Sequence, residues 1–360
     1  MGKNKKILVT GLCFSNNQGG PAMALSFMEQ IRKYLSPDFV FAVSPVYFNL
    51  EKKWADHYGV KIVSEKTKEY KEALKNCDCL VNLNGIAFVG DKSRKWYSSF
   101  YENRFFREAK KYKKPFFRFI QSYGPFEDWR VRFIAKREFD NLPCVMARGD
   151  LSAQYCRSLT NTPVYSFPDV AITLKATNKR DLGNYIVFCP SAVTARENRE
   201  KYILFFKDLI KYYKNKGEKI ILLPSAFSSE KSKCDRELSK EINNAYIIEE
   251  ELDCRELKEI IQKSKLAIVS RYHSLVAALS SAVPVISIGW NDKYKDIMNF
   301  YSCPEFAFDI RDEINPEMVI KKVDAWTNDK KLALKKQQPK LELKLDLAFR
   351  IFIDWLEKIS

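Results

Sequence analysis

The stretch "KLAIVSRYHSLVAALSSAVPVISIGW", residues 265–290, decides the fold class. It opens with a short apolar run, continues with small and apolar residues in a pattern typical of a helix, and closes with a second apolar run after Pro284. Two strands joined by a helix form a parallel βαβ unit, because parallel strands need a crossover connection. The stretch therefore predicts a parallel sheet flanked by helices.

The same alternation recurs along most of the chain and predicts two domains. Strands are predicted at residues 6–10, 39–46, 61–64, 78–83, 115–121, 143–147 and 163–167, and then within residues 185–192, 218–227, 245–250, 265–270 and 283–290. The polar segment "LKATNKRDLGN", residues 174–184, separates the two series. We expect an α/β protein with an N-terminal Rossmann-like domain (1–176), a C-terminal one (177–340) and a terminal packing helix (341–360).

Two such domains are expected to face each other across a cleft, with ligands at the carboxyl ends of the strands. A local signal supports one of the helices. Asp253 and Glu256 have the spacing of a capping box, which predicts a helix from about residue 254 to 263.

Composition narrows the function classes. The 360 residues are 46% hydrophobic, which suffices for a large core, and 61 Lys and Arg against 45 Asp and Glu give a net charge of +16. This charge favours a polyanion, an anionic membrane surface or small anionic substrates. Nucleic acid is not predicted, because no nucleic-acid-binding motif accompanies the charge.

Cysteine usage and the apolar runs bear on location. Nine cysteines at irregular spacings, without a C-x-x-C pair, predict reduced thiols in a cytoplasmic protein and no metal site. The apolar run at the N-terminus is too short for an export signal, and no lipidation motif is expected there. Residues 272–291 lack charge, but their pattern changes at Pro284, so a helix followed by a buried strand is predicted instead of a membrane span.

Candidate ligand-binding residues follow the predicted strands. In the first loop, Gly19 and Gly20 allow close approach of a ligand to the backbone, amides at the following helix start can hold an anion, and Asn17 is polar. The other candidates after strands are Gln121, Arg148, Asp150 and Asp169. Each of these also has a structural explanation, in a turn, a helix cap or a strand end.

The stretch quoted above carries the sharpest candidate. Arg271 and His273 follow the strand at alternate positions, and Lys293 lies just after the next strand. Two fixed positive charges around one titratable group are typical of an anion-binding catalytic site. The alternative is a histidine packed at a strand-to-helix turn. The other histidine, His57, is expected to be an ordinary surface residue.

Five segments in order resemble the polysaccharide pyruvyl transferase family. They are "SNNQGG" (15–20), "IQSYGPF" (120–126), "ARGDLS" (147–152), "FPDVA" (167–171) and "IVSRYHSLVAALSSAVPVISIGWNDK" (268–293). The last is similar to the most diagnostic block of the family, with Arg-x-His, a small-residue helix, Val-Pro and a downstream Lys. The first loop departs from the pattern, because Gly20 and Pro21 stand where an acidic residue often follows.

This resemblance implies a GT-B-like fold and the transfer of pyruvate from phosphoenolpyruvate to two hydroxyls of a sugar. The acceptor would be a cell-surface polysaccharide or its lipid-linked precursor, and the products a cyclic ketal and phosphate. His273 is expected to be the general acid/base and Arg271 a catalytic anion-binding residue, with Lys293 and Arg196 behind it. No cofactor or metal is expected, and phosphoenolpyruvate is the donor substrate.

The resemblance assigns the donor to the C-terminal domain and the acceptor to the N-terminal one. Asn17, Gln121, Arg148, Asp150 and Asp169 are expected to line the acceptor side or to hold the loops of the first domain.

Two alternatives remain open from the sequence. A GT-B nucleotide-sugar glycosyltransferase shares the architecture, and a basic second domain also suits a diphosphate. A non-enzymatic protein that binds a membrane surface through its positive charge would need no active site. Under the preferred hypothesis the protein is cytoplasmic, with at most peripheral contact with the inner face of an anionic membrane.

Overall fold

The computed structural model describes residues 4–91 and 94–359, which fall into two compact units. The first contains residues 4–15, 23–91, 94–170 and 343–359, and the second contains residues 16–22 and 171–342. The chain passes from the first unit to the second after residue 170, and the domain bounds given by the sequence stay a prediction. Residues 16–22 pack with the second unit, although the residues on both sides of them belong to the first. Residues 343–359 pack with the first unit, although residue 342 belongs to the second. Patterns along the sequence cannot reveal such exchanges.

The first unit is built on parallel strands. In chain order these are β1 Lys6–Thr10, β2 Asp38–Val43, β3 Ile62–Ser64, β4 Cys79–Asn82, β5 Ile86–Ala87, β6 Phe116–Arg118, β7 Ser122–Tyr123, β8 Val145–Arg148 and β9 Val164–Phe167. The main sheet has the order β3-β2-β1-β4-β6, and β5-β7 and β8-β9 form two-stranded sheets. In β1, Ile7 pairs with Phe39 of β2 and with Cys79 of β4. Both faces of this central strand are covered, so four of its five residues are buried.

Helices cover the sheets of the first unit. They are α1 Gly19–Ile31, whose first residues pack with the second unit, α2 Phe48–His57, α3 Lys68–Asn76, α4 Trp96–Glu102, α5 Arg104–Lys111, α6 Trp129–Phe139 and α7 Asp150–Arg157. Apolar side chains of α3, α5, α6 and α7 meet those of the strands in one buried cluster. The apolar faces of these helices therefore explain why the loops after the strands hold fixed positions.

The second unit contains a single parallel sheet of six strands within the described residues. The strands are β10 Ile186–Cys189, β11 Ile220–Leu222, β12 Tyr246–Ile247, β13 Leu266–Val269, β14 Val285–Gly289 and β15 Ala307–Asp309. The helices are α8 Arg199–Asn215, α9 Asp235–Ile242, α10 Cys254–Lys263, α11 Tyr272–Ser280, α12 Lys293–Phe300, α13 Pro316–Asp324 and α14 Asn328–Lys358, whose residues from 343 onward pack with the first unit. The order β12-β11-β10-β13-β14-β15 is that of a doubly wound Rossmann sheet, with a topological switch point between β10 and β13.

The predicted fold class is confirmed: parallel sheets flanked by helices occur in both units. The capping box is also confirmed, because Asp253 accepts from the amide of Glu256 and the Glu256 carboxylate accepts from the amide of Asp253. Residues 272–291 form α11 and β14, as predicted. Among the described residues, no helix combines the length and apolarity needed to cross a bilayer. The facing of the two domains across a cleft stays a prediction.

Several elements differ from expectation. The two-residue strands β5 and β7 were not predicted. Strand β15 was missed because it has only three residues, and it pairs with β14 at the edge of the sheet. The terminal helix begins at Asn328 and contains Pro339, whereas the sequence predicts a start at residue 341. The sequence of its first turns gives no clear helix signal, because Leu334 is a buried residue among mostly polar and charged neighbours.

Candidate active site

The switch point of the second sheet places the predicted Arg271 and His273 directly after β13. Arg271 precedes the first residue of α11, and His273 is the second residue of that helix. The turn is short because the fully buried strand β13 ends just before it and the buried apolar residues of α11 begin just after it. Both side chains therefore start from the edge where doubly wound sheets bind ligands.

Asp235 fixes the orientation of Arg271. Nε of Arg271 donates to one carboxylate oxygen at 2.7 Å and Nη2 donates to the other at 2.5 Å. The same carboxylate accepts the amide of Ala192 at 2.8 Å and the amide of Ala226 at 3.0 Å. Burial acts to lower the pKa of Arg271, but the charge and hydrogen bonds of Asp235 raise it above its ordinary value. Asp235 thus joins the loops after β10, β11 and β13.

A second set of hydrogen bonds supports the same loops. The hydroxyl of Tyr202 donates to Ser270 Oγ at 2.8 Å and accepts the amide of Ser191 at 3.0 Å. The hydroxyl of Tyr294 donates to the carbonyl of Ser270 at 2.9 Å. Gly289 makes room for this ring, because a methyl group on it would lie 2.5 Å from Cγ of Tyr294. The residue before Arg271 is therefore held from both sides.

The predicted Lys293 lies beside aromatic rings. Its ammonium nitrogen is 5.4 Å from the ring centre of Tyr272, 5.5 Å from that of Trp290 and 5.6 Å from that of Tyr294. Such distances allow cation–π attraction between the ammonium and the rings. Because the ring of Tyr272 also packs edge-on against that of His273, Lys293 and the histidine share one aromatic neighbour.

The first loop meets His273 within the second unit. A methyl group built on Gly19 would lie 2.5 Å from Cε1 of His273, so only a glycine fits against the imidazole. The loop is anchored by a bridge between Asn17 and Ala226 and by the amide of Gln18, which donates to the carbonyl of Ser225. The side chain of Asn17 accepts the amide of Gly19 at 3.1 Å. The structure thus brings the predicted first loop and the predicted histidine together.

Two further candidates of this unit are less constrained. Gly20 follows Gly19 in the first turn of α1 and is half-buried, and its amide donates to the carbonyl of Asn17 at 3.3 Å. Arg196 ends the short 3-10 turn Thr194–Arg196 and is exposed.

In the first unit, Arg148, Asp169 and Gln121 form a buried group. Nη1 of Arg148 donates to Asp169 at 2.5 Å, its Nη2 donates to the carbonyl of Gly85 at 2.5 Å, and its amide donates to the carbonyl of Gln121 at 2.7 Å. The Gln121 side chain donates to both oxygens of Asn82. Each contact ties one strand-end loop to another.

Asp150 lies apart from this group. It is exposed at the start of α7 and accepts the hydroxyl of Ser166 at 2.5 Å. The structure thus brings three of the four first-unit candidates together, and the roles of all four stay predictions.

Sequence reasoning missed Asp235 and Tyr294 altogether. Asp235 lies in the polar run "KCDRELSK", residues 233–240, and Tyr294 directly follows Lys293. The one available signal was indirect: a buried arginine needs a carboxylate. Several aspartates and glutamates could have met that need.

Comparison with solved structures defines the class. The chain is similar to the kitacinnamycin glycotransferase (TM-score 0.55, 10% identity, all of both chains covered). It is also similar to UDP-GlcNAc 2-epimerase from Neisseria meningitidis bound to UDP-GlcNAc (0.59, 11%, 98% of this chain and 100% of that one). A third similar structure is Phytolacca americana UGT2 complexed with UDP-2fluoro-glucose and pterostilbene (0.60, 6%, 99% and 100%). Identities this low establish the fold alone, which is GT-B-like.

The family follows from the sequence match. The family model of polysaccharide pyruvyl transferases matches residues 19–292, and the chain belongs to this family. The matched segment begins at the glycine that faces His273 and ends one residue before Lys293. The protein is therefore a transferase that modifies a polysaccharide.

Proposed function

We propose that this protein transfers pyruvate from phosphoenolpyruvate to two hydroxyls of one sugar. The methylene carbon of the donor gains a proton and becomes a methyl group, and its neighbouring carbon forms bonds to both sugar oxygens. The bond between that carbon and the phosphate oxygen breaks. One hydroxyl proton balances the new methyl group and the other leaves with phosphate, so the products are a cyclic ketal and inorganic phosphate.

The contact between His273 and Gly19 is the observation that carries the proposal. An imidazole held against backbone at a strand end, beside cations, suits a group that gives one proton and takes another near neutral pH. We assign His273 as the general acid/base.

The donor carries a phosphate and a carboxylate, so its site needs cations. Because Nε and Nη2 of Arg271 donate to Asp235, its contact with a donor anion would run through Nη1. Lys293 supplies a second positive charge, and Arg196 supplies a third from its exposed turn. The backbone of the first loop at Gly19 and Gly20 lies against His273, with both amides held by Asn17. We assign all of these residues to donor binding.

The acceptor side is assigned to the first unit, as a sugar of a cell-surface polysaccharide or its lipid-linked precursor. There, Arg148, Asp169 and Gln121 are buried and hydrogen-bonded to neighbouring loops, which supports a role in holding the loops. Asp150 is exposed, which supports direct contact with the acceptor. Asn17 positions the amide of Gly19. We place the reaction in the cytoplasm, with peripheral contact at the inner face of the membrane.

Ligand-dependent thermal stability tests the donor. A ligand that binds only the folded state, at about 100 times its dissociation constant, stabilises it by about 2.7 kcal/mol. We expect phosphoenolpyruvate to raise the Tm of the wild type and of His273→Gln, and to raise that of Lys293→Met less. Phosphate release with a set of simple hexosides should require His273. The matched control is His57→Gln, which should behave as wild type in both assays.

The opposite pattern would identify a different enzyme. If UDP raises the Tm and phosphoenolpyruvate does not, the protein is a nucleotide-sugar glycosyltransferase of the same fold. If neither ligand acts and no variant differs from wild type, His273 is a histidine packed at a turn.

A further inference from the structure

An exposed group of aromatic side chains covers two neighbouring helices of the first unit. We call it the α4–α6 aromatic patch, and it consists of Trp96, Tyr97, Phe100 and Tyr101 of α4 and Trp129 and Phe133 of α6. Their exposed fractions run from 39% to 73%. Helices α4 and α6 pack against each other, so these side chains belong to one surface.

The outward position of these rings is built into both helices. The pairs Trp96/Phe100, Tyr97/Tyr101 and Trp129/Phe133 are each four residues apart, which places the members of a pair on adjacent turns of one face. The small residues Ser99 and Ala135 face inward and are buried. Single exposed aromatic side chains are common, but a contiguous group of six marks a binding surface.

Cations are interleaved with the rings. The guanidinium carbon of Arg130 lies 4.9 Å from the ring centre of Trp96, which links α6 to α4. Arg107 lies 3.9 Å from the ring centre of Phe100, and Arg104 lies 3.7 Å from that of Tyr101. A sugar would stack on the open face of an aromatic ring. In these three pairs a face is already covered by a guanidinium group.

Further positive charge borders the patch. Lys95, Arg132 and Arg137 are exposed on α6 and just before α4, and the whole chain carries a net charge of +16. Among acidic neighbours, Asp128 is paired with Arg130 and Asp140 with Lys136. The surface therefore combines six aromatic rings, four of them tryptophan or tyrosine, with an excess of cations.

We propose that the α4–α6 aromatic patch docks on an anionic lipid bilayer, with the helices lying in the plane of the interface. Tryptophan and tyrosine rings are stable at the level of lipid headgroups, because one end is apolar and the other is polar. Arginine and lysine on the same face bind lipid phosphates. The excess of cations around the rings is complementary to the negative charge of an anionic bilayer surface. The bilayer is the partner that satisfies both kinds of side chain.

This inference names the surface for the membrane contact included in the proposed function. Vesicle binding is measured without donor or acceptor, so it fails or succeeds independently of pyruvate transfer. The probe is cosedimentation with vesicles of phosphatidylcholine alone and of an equal mixture of phosphatidylcholine and phosphatidylglycerol. We expect the full chain to bind the mixed vesicles more tightly, and to bind them less tightly as salt is raised.

Two double variants separate the apolar and the electrostatic contributions. Trp129→Ser with Phe133→Ser removes two exposed rings and should weaken binding about tenfold or more. Arg132→Gln with Arg137→Gln should weaken binding to the mixed vesicles about tenfold and leave binding to neutral vesicles nearly unchanged. Because all four side chains are exposed, the thermal stability of both variants should match that of wild type.

The matched control changes exposed apolar side chains of the second unit. Leu204→Ser with Tyr246→Ser removes side chains that are 54% and 61% exposed, and it should leave vesicle binding unchanged. The proposal is overturned if wild type does not bind the mixed vesicles, or if this control weakens binding as much as the patch variants do. It is also overturned if loss of the rings abolishes self-association in sedimentation but spares vesicle binding. The patch would then be an interface between two copies of the chain.

Discussion

Replacing Asp235 by alanine should destabilise the second unit. The loss in free energy of unfolding should exceed that caused by replacing any exposed carboxylate. Asp235 is fully buried and accepts four hydrogen bonds, two from Arg271 and one each from the amides of Ala192 and Ala226. In Asp235→Ala all four donors lose their acceptor. Two of them belong to the guanidinium group of Arg271, which is only 14% exposed.

The magnitude follows from these contacts. Removing one partner of a buried ion pair costs about 3–5 kcal/mol, because the other charge stays buried without compensation. Each buried amide without an acceptor costs a further 1–3 kcal/mol or so, although such costs do not simply add. We therefore expect Asp235→Ala to lower the free energy of unfolding by about 4 kcal/mol or more. Arg271→Met should cost less, because the carboxylate keeps its two amide donors.

The assay is urea unfolding combined with hydrogen exchange, which resolves the second unit from the first. A double-mutant cycle of Asp235→Ala and Arg271→Met should give a coupling energy of about 2 kcal/mol or more. The matched control is Asp150→Ala, an exposed aspartate, which should cost less than about 1 kcal/mol. A loss below about 1 kcal/mol in Asp235→Ala, or strict additivity in the cycle, would refute the role of Asp235 as the residue that joins the loops.

Two further predictions concern a buried lysine and the first loop. Burial lowers the pKa of Lys258 to about 8, and its ammonium donates to Ser280 at 2.8 Å. In the folded state Lys258 loses its proton at a lower pH than in the unfolded state. The buried charged lysine therefore destabilises the folded state fully below pH 8, and this destabilisation disappears as pH rises toward 10.5. The stability advantage of Lys258→Met over wild type should therefore shrink by about 3 kcal/mol across that range in urea titrations, and a constant difference would contradict this. Gly19→Ala should displace the imidazole of His273 and reduce phosphate release about tenfold or more, while phosphoenolpyruvate should still raise the Tm. Full activity of this variant would show that the contact between Gly19 and His273 is irrelevant to the reaction.

The fold was predictable because its signals are local. Apolar runs of four to six residues followed by helical patterns define βαβ units without any knowledge of distant contacts. The capping box at Asp253 worked for the same reason, since both partners lie within one turn. Strand β15 and the start of α14 escaped because three residues carry no period, and because the early turns of α14 are mostly charged.

The site was predictable only in part. His273, Arg271 and Lys293 lie within one continuous stretch, so their proximity follows from the βαβ geometry. Asp235 is 36 residues away from Arg271 on a helix of its own, and no periodicity relates the two. The packing of Gly19 on His273 joins opposite parts of the chain, which places residues 16–22 in the second unit. Tertiary packing decides such pairings, and no local sequence pattern indicates them.

Because Arg271 is paired with Asp235, the long-range attraction for the proposed anionic donor must come from another residue. A guanidinium and a carboxylate in two-point contact have no net charge together, so the pair offers directed N–H groups and little long-range attraction. An arginine is needed here because its planar fork can pair along one edge and still present another nitrogen, which a lysine cannot do. The ammonium of Lys293 lies beside three aromatic rings, 5.4 Å from the ring centre of Tyr272, 5.5 Å from that of Trp290 and 5.6 Å from that of Tyr294. Under the proposed function, Arg271 would set the geometry of donor binding and Lys293 would contribute positive charge.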